Sequence, residues 1–294
     1  MMFDMINLLL LLTVIFWGLS FVATKMALNY LTPFEIIAIR LFLGIPVLIL
    51  VLFIKKIKLS FQKSDVAVLL GGSLILGLHV LIQAYGLIYT TATNSGWLIA
   101  TVPVAIVILS RIFLMEKVKI RQIIGVGAAT LGVILLVSKG KLNSLGWLES
   151  IGDWLILSSV VTWAVYTIIT RNITQRRNPL AVSLILLIPP AVVTNIYVAS
   201  SSPISKLLNL PFHMILVMFF LGAVCLGFGN WFWMEGLSHK GAIRTGIFLY
   251  FEPLVTTAAA IPILGEKISV FMIIGAALII GGVYLVERRT AAES

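Results

Sequence analysis

Apolar residues run through this chain in blocks of about twenty, separated by short clusters of charged and turn-forming residues. Inside a block they follow one another without the apolar and polar alternation of a barrel strand. About 20 apolar residues in a helix span the hydrocarbon of a bilayer while satisfying every backbone group internally. The pattern therefore predicts an all-α integral membrane protein with ten transmembrane helices, over 6–28, 33–54, 66–89, 93–113, 120–138, 150–170, 179–199, 213–237, 241–264 and 268–287. Little sequence is left for a soluble domain. The opening "MMFDMIN" has no positive segment, and no small-residue cleavage site follows the first run, so that run reads as a retained helix rather than a signal peptide.

Sliding the chain on itself reveals a duplication. A shift of 146 brings Trp17 onto Trp163, Thr24 onto Thr170, Lys25 onto Arg171 and Pro33 onto Pro179. A shift of 150 then matches Gly72 with Gly222, Gly77 with Gly227, Gly86 with Gly236, Gly96 with Gly246, Pro103 with Pro253, Glu116 with Glu266, Lys117 with Lys267, Gly125 with Gly275 and Gly132 with Gly282. The ordered series divides the chain into two five-helix repeats, 1–146 and 147–294. Because five is odd, the second repeat enters the membrane from the opposite side. Inverted repeats of this kind build carriers, whose shared central site opens to either face. One departure from the repeat is Arg40, whose counterpart is Leu186.

Composition agrees, with 60% hydrophobic and 11% charged residues. The net charge of +10 need not mark a nucleic-acid partner. With the N-terminus in the cytoplasm, most of the basic residues fall at cytoplasmic helix ends, whereas Lys139, Lys141, Lys206 and Lys267 fall outside. Both termini are then cytoplasmic. Cys225 is the single cysteine, and histidines occur only at 79, 213 and 239, too scattered for a metal site. No glycine-rich phosphate loop, zinc-binding HExxH or serine nucleophile motif occurs, so no cofactor and no enzymatic activity is expected.

The segments "FWGLSFVATKMAL", "LTPFEIIAIRLFLG", "EPLVTTAAAIPILGEK" and "IIGAALIIGGVYLV" resemble EamA-type members of the drug/metabolite transporter superfamily. The resemblance spans essentially the whole chain. It implies a ten-helix carrier of the bacterial inner membrane, in most cases an exporter of amino acids, related metabolites or drugs.

Candidate cargo contacts come from polar and aromatic residues inside the spans. Gly72, His79, Gln83 and Gly86 share one face of the third span, opposite numbers of Gly222, Gly229, Trp233 and Gly236. His79 and Gln83 are expensive in hydrocarbon unless bonded, although small residues on such a face also serve helix packing. Asn94 and Trp97 share a face, as do Trp163 and Tyr166. With Trp17, Trp231, Trp233 and Tyr250 they suit a pocket for an amphipathic organic solute, against core packing as the alternative. Pro103 and Pro253 each free the carbonyl four residues earlier, at Ile99 and Leu249, giving a hinge or a packing kink. Glu116 and Glu266 sit at tight interhelical turns and read as structural caps.

Arg40 and Glu252 lie about 10 Å and about 16 Å inside their helices. Three readings stand for them: a mutual ion pair, an Arg40 clamp on a substrate carboxylate, or a Glu252 that exchanges a coupling proton. The function expected is a secondary carrier exporting a small amphipathic solute, with the lipid bilayer, and protons on the third of those readings, as its other partners. A passive channel is the alternative. A membrane enzyme would need an Asp-rich or His-rich loop that is absent from the sequence.

Overall fold

The computed structural model describes residues 5–116, 118–138, 150–202, 209–264 and 270–287, and among these it contains helices and no strand. The elements are α1 (Met5–Ala27), α2 (Pro33–Ile54), α3 (Val66–Tyr89), α4 (Ala92–Ile99), α5 (Val102–Phe113), α6 (Ile120–Ser138), α7 (Ile151–Arg176) and α8 (Pro179–Ser201). After α9 (Phe212–Phe219) a π-helical stretch, Phe220–Phe228, leads into α10 (Gly229–Gly246). A 3-10 turn, Ile247–Phe251, leads into α11 (Glu252–Leu264), and α12 (Val270–Glu287) follows. Among the described residues seven helical stretches are long and apolar enough to cross a membrane, and two shorter apolar helices fall in α6 and α12.

Local chemistry sets the boundaries. Thr32 and Glu35 form a reciprocal capping box at the start of α2, with Pro33 in the first turn where a missing N–H costs nothing. Ser150 and Asp153 do the same for α7, while the Asn178 side chain accepts from the N–H groups of Leu180 and Ala181 ahead of α8. The seventh span reaches Arg176 rather than stopping near 170, because Thr174 satisfies carbonyls within α7 and polar residues continue the helix beyond the apolar run.

The span expected over 93–113 is broken in two. Pro103, in the first turn of α5, forbids an unbroken ladder, and the chain turns through Ala100 and Thr101. At the matching place in the second half, the 3-10 turn precedes Pro253. Between the eighth and ninth expected spans the break is Gly241, at φ 76 and ψ 178, a conformation that a Cβ would oppose.

Packing follows the duplication. A Cβ on Gly125 would lie 2.6 Å from the Gly282 carbonyl, and one on Gly132 would lie 2.6 Å from that of Gly275, so α6 and α12 touch backbone to backbone at two levels. Gly72 abuts Leu186 while its counterpart Gly222 abuts Arg40. Gly86 abuts Ile156 and Gly236 abuts Leu10; Gly96 abuts Thr256 and Gly246 abuts Ile106. Since 10 matches 156, 40 matches 186 and 106 matches 256, each contact is made twice, once by each half. Membrane helices gain little from the hydrophobic effect between themselves, and close approach at small residues supplies dispersion contacts instead. The boundary at 146/147 and the positions Lys117, Lys139, Lys141, Lys206, Glu266 and Lys267 lie outside the described residues.

Candidate functional site

Where the two halves meet, a cavity enclosing ≈ 570 Å³ of empty space, open solvent included, is walled by residues of both. Trp17, Ser20 and Phe21 of α1, Arg40 of α2, and Leu76, His79, Val80 and Gln83 of α3 face it, with Ile99 and Val102 at the α4–α5 break. From the second half come Trp163, Cys225, Leu226, Asn230, Leu249 and Glu252. Five repeat pairs stand among them: Trp17 with Trp163, Leu76 with Leu226, Val80 with Asn230, Ile99 with Leu249, and Val102 with Glu252. A cavity walled by both members of so many pairs lies on the axis relating the halves. The two helix breaks meet it as well, since Ile99 and Leu249 are the residues whose carbonyls Pro103 and Pro253 displace.

An aromatic stack forms one wall. Trp17 and Trp163 meet edge to face at 4.9 Å and 88°, and Trp233 packs behind both at 5.4 Å. The His79 ring lies 4.9 Å from that of Trp163, and Tyr166 lies 5.0 Å away on Trp163's other flank. Trp17 is fixed by donating Nε1–H to the Cys225 carbonyl at 2.9 Å. His79 is fixed through Nδ1, 3.0 Å from the Ser159 carbonyl and 3.2 Å from Thr162 Oγ1. A carbonyl only accepts, so Nδ1 carries the hydrogen, and in the neutral ring Nε2 is the acceptor. Asn230 is held between two partners, accepting from the Tyr166 hydroxyl at 3.1 Å and donating to Ser183 Oγ at 2.9 Å.

Arg40 and Glu252 share this cavity but do not pair with each other. Glu252 is 2% exposed, and among the described residues its carboxylate has no hydrogen-bond or ion-pair partner; its backbone carbonyl is engaged by Thr256. Arg40 likewise has no hydrogen-bond partner among the described residues, its Nε being buried and unsatisfied. The mutual ion pair considered from the sequence is therefore not formed, although both groups line the one cavity.

Of the remaining sequence candidates, His79, Gln83 and Trp163 line the cavity, and Trp233 and Tyr166 back it as a second layer. Three others face elsewhere. Asn94 donates to Asp153 Oδ1 at 2.6 Å, bracing the start of α4 against α7. The Tyr250 hydroxyl shares a 2.6 Å hydrogen bond with Thr130 of α6, and Trp97 packs into the core from α4. Gly72 and Gly86 of the α3 stripe are packing contacts. Trp17, one of the aromatics expected from the sequence, lines the cavity, whereas Ser20, Phe21 and Asn230 line it with no signal in the sequence pattern to mark them.

Glu116 does not cap its own turn alone. Its carboxylate meets Arg171 of the other half at 3.1 Å. Burial pushes the Glu116 carboxyl above its ordinary value, against the opposing pull of Arg171. A second, polar cavity opens here, bounded by Gln122, Gln175, Lys240 and Arg244.

Comparison with known proteins follows the same geometry. The sequence pattern of the EamA-like transporter family matches twice, over residues 4–138 and 150–288. A Bacillus subtilis protein named as an uncharacterized transporter, YyaM, is 30% identical over 274 residues, covering 92% of this chain and 89% of that one. An uncharacterized transporter of Archaeoglobus fulgidus is 26% identical over 285 residues, covering 95% and 97% respectively. A solved crystal structure superposes with a TM-score of 0.75 at 18% identity, over 96% of this chain and 94% of its own, a likeness of fold.

Proposed function

Because the chain belongs to the EamA-like transporter family, we propose that it is a secondary carrier moving a small amphipathic organic solute outward across the bacterial inner membrane. The observation that carries the reading is the cavity on the axis between the halves, where a carrier built from repeats holds its cargo. Ten spans follow if the continuous stretch Phe212–Ala259 is divided at Gly241 and the two shorter apolar helices are counted. The halves then lie inverted in the bilayer, with both termini cytoplasmic. Amino acids, related metabolites and drugs are the cargo classes this reading carries. Rocking of one half against the other at the Pro103 and Pro253 breaks would expose the cavity to each face in turn.

Purified protein in proteoliposomes, offered labelled amino acids and metabolites, tests the reading. A carrier gives saturable flux and counterflow, in which unlabelled solute inside drives labelled solute inward. Linear, unsaturable flux without counterflow is the behaviour of a passive channel and would replace this reading with that one.

A further inference from the structure

Lys25 and Arg171 occupy equivalent positions in the two halves, toward the C-terminal ends of α1 and α7, and they make different contacts there. Lys25 stays within its own half. Its ammonium donates to the carbonyls of Leu87, Ile88 and Thr90 at 2.5, 3.3 and 2.8 Å, where the end of α3 leaves backbone acceptors without an intrahelical partner. Arg171 instead crosses to the other half and meets the Glu116 carboxylate at 3.1 Å, just past the end of α5. Its Nε is buried and has no partner among the described residues. The carbonyls equivalent to those that Lys25 holds belong to Leu237, Ser238 and Lys240, in the turn of α10 that Gly241 ends. Arg171 borders the same polar cavity as Lys240 and Gly241.

The central cavity is skewed in the same sense. Ser20, Phe21, Arg40, His79 and Gln83 line it, whereas their counterparts Tyr166, Thr167, Leu186, Gly229 and Trp233 do not. Along α1 and α3 the extra lining residues lie toward the two helix ends that Lys25 ties together. The cavity thus reaches toward the Lys25 end of the bundle and stops short of the end where Arg171 meets Glu116. Two inverted repeats that hold equivalent positions differently represent one state of a pair, and exchanging their arrangements gives the other.

Resting on the carrier reading, we infer that Glu116 and Arg171 form the latch that closes the cavity toward one face, and that opening this face transfers Arg171 from Glu116 to the carbonyls of Leu237, Ser238 and Lys240. That is the arrangement Lys25 already holds in the first half. In the orientation proposed above the latched face is the cytoplasmic one. The guanidinium suits the exchange, since its several N–H donors serve a carboxylate in one state and carbonyls in the other. Glu287 pairs with Lys240 and offsets the charge that the guanidinium would meet there. A contact made in one state only biases the equilibrium toward that state by its own free energy.

The test needs no transported solute. Val80→Cys in a Cys225→Ala background puts the molecule's single thiol on the cavity wall, and its labelling by an impermeant maleimide is compared in right-side-out and inside-out vesicles. Glu116→Gln removes the latch and leaves Arg171 its second set of partners. Labelling from the Glu116 face should rise about 2- to 5-fold, the factor for a partly exposed ion pair, with no rise from the other face. Glu116→Ser, which also lacks the charge, is read alongside it and should act in the same direction. Arg171→Gln loses both sets of contacts and should shift the ratio of the two faces less than Glu116→Gln does. Arg171→Lys keeps the charge and should hold the ratio close to that of the parent.

Unchanged or slower labelling from the Glu116 face in both Glu116 variants overturns the latch, and a larger shift from Arg171→Gln than from Glu116→Gln overturns the exchange of partners. Failure here is distinguishable from failure of the carrier reading. Saturable counterflow in a protein whose labelling ignores Glu116 keeps the carrier and discards the latch. A Glu116-dependent shift in labelling without counterflow keeps the two-state bundle and discards the carrier.

Discussion

Replacing Glu252 with its repeat counterpart, Glu252→Val, should stabilise the protein in the absence of ligand. Glu252 is 2% exposed and its carboxyl group has no partner among the described residues, and Val102 shows that valine fits the matching position. The change removes a desolvated charge, and the volume it vacates merges with an existing cavity, so little packing is lost. Exchanging a buried ion pair for apolar residues of similar volume ranges from neutral to about 4 kcal/mol stabilising, and for this one carboxyl group a gain of about 0–2 kcal/mol is expected. Arg40→Leu should act in the same direction. Thermal unfolding of detergent-solubilised protein, with fluorescence read away from the tryptophans of the cavity, measures the effect. A loss of more than about 1 kcal/mol in ligand-free Glu252→Val would refute the reasoning, because it would mean that the carboxylate holds the fold together.

Gly282→Ala places a Cβ 2.4 Å from the Gly125 carbonyl and 2.8 Å from Ala129 N, so α6 and α12 must part; a cost of about 1–3 kcal/mol is expected in thermal unfolding, with Gly281→Ala, which meets nothing within 4 Å, as the neutral control. Asn230→Ala leaves the Tyr166 hydroxyl and Ser183 without their partner and should cost about 1–3 kcal/mol by the same assay. In a Cys225→Ala background, cysteines at Lys141 and Lys206 should react with an impermeant maleimide added outside intact cells and one at Lys58 should not, the reverse pattern meaning the opposite orientation.

The helices were legible because a bilayer imposes length and hydrophobicity together, and the ends of α2, α7 and α8 are written in their capping residues. The duplication was legible because glycine is needed wherever helices touch backbone to backbone, as Gly125 does against Gly282. The broken span around Pro103 differed from a simple kink, since the chain turns at Ala100 before the proline. In the cavity, sequence spacing placed His79 and Gln83 on one face of α3, but spacing tells which residues share a face and not which neighbour covers it. Asn94 and Trp97 share a face, yet that face meets α7 and the core rather than the cavity. Tyr250 finds Thr130, 120 positions away, a contact that periodicity does not encode. That Arg40 and Glu252 line one cavity without pairing could be read only from the assembled bundle.

Alternating exposure of the cavity is the claim on which the account depends, and Gln83 offers a direct probe of it. Gln83 lines the cavity and is partly exposed to it, so Gln83→Cys in a Cys225→Ala background carries the molecule's single thiol there. Its labelling by an impermeant thiol reagent would be measured in right-side-out and in inside-out vesicles. The account predicts reaction from both faces, with a substrate gradient raising the rate on one face and lowering it on the other, and no leak of the reagent through the protein. Labelling from one face alone under every gradient, or passage of the reagent across the membrane, would contradict it.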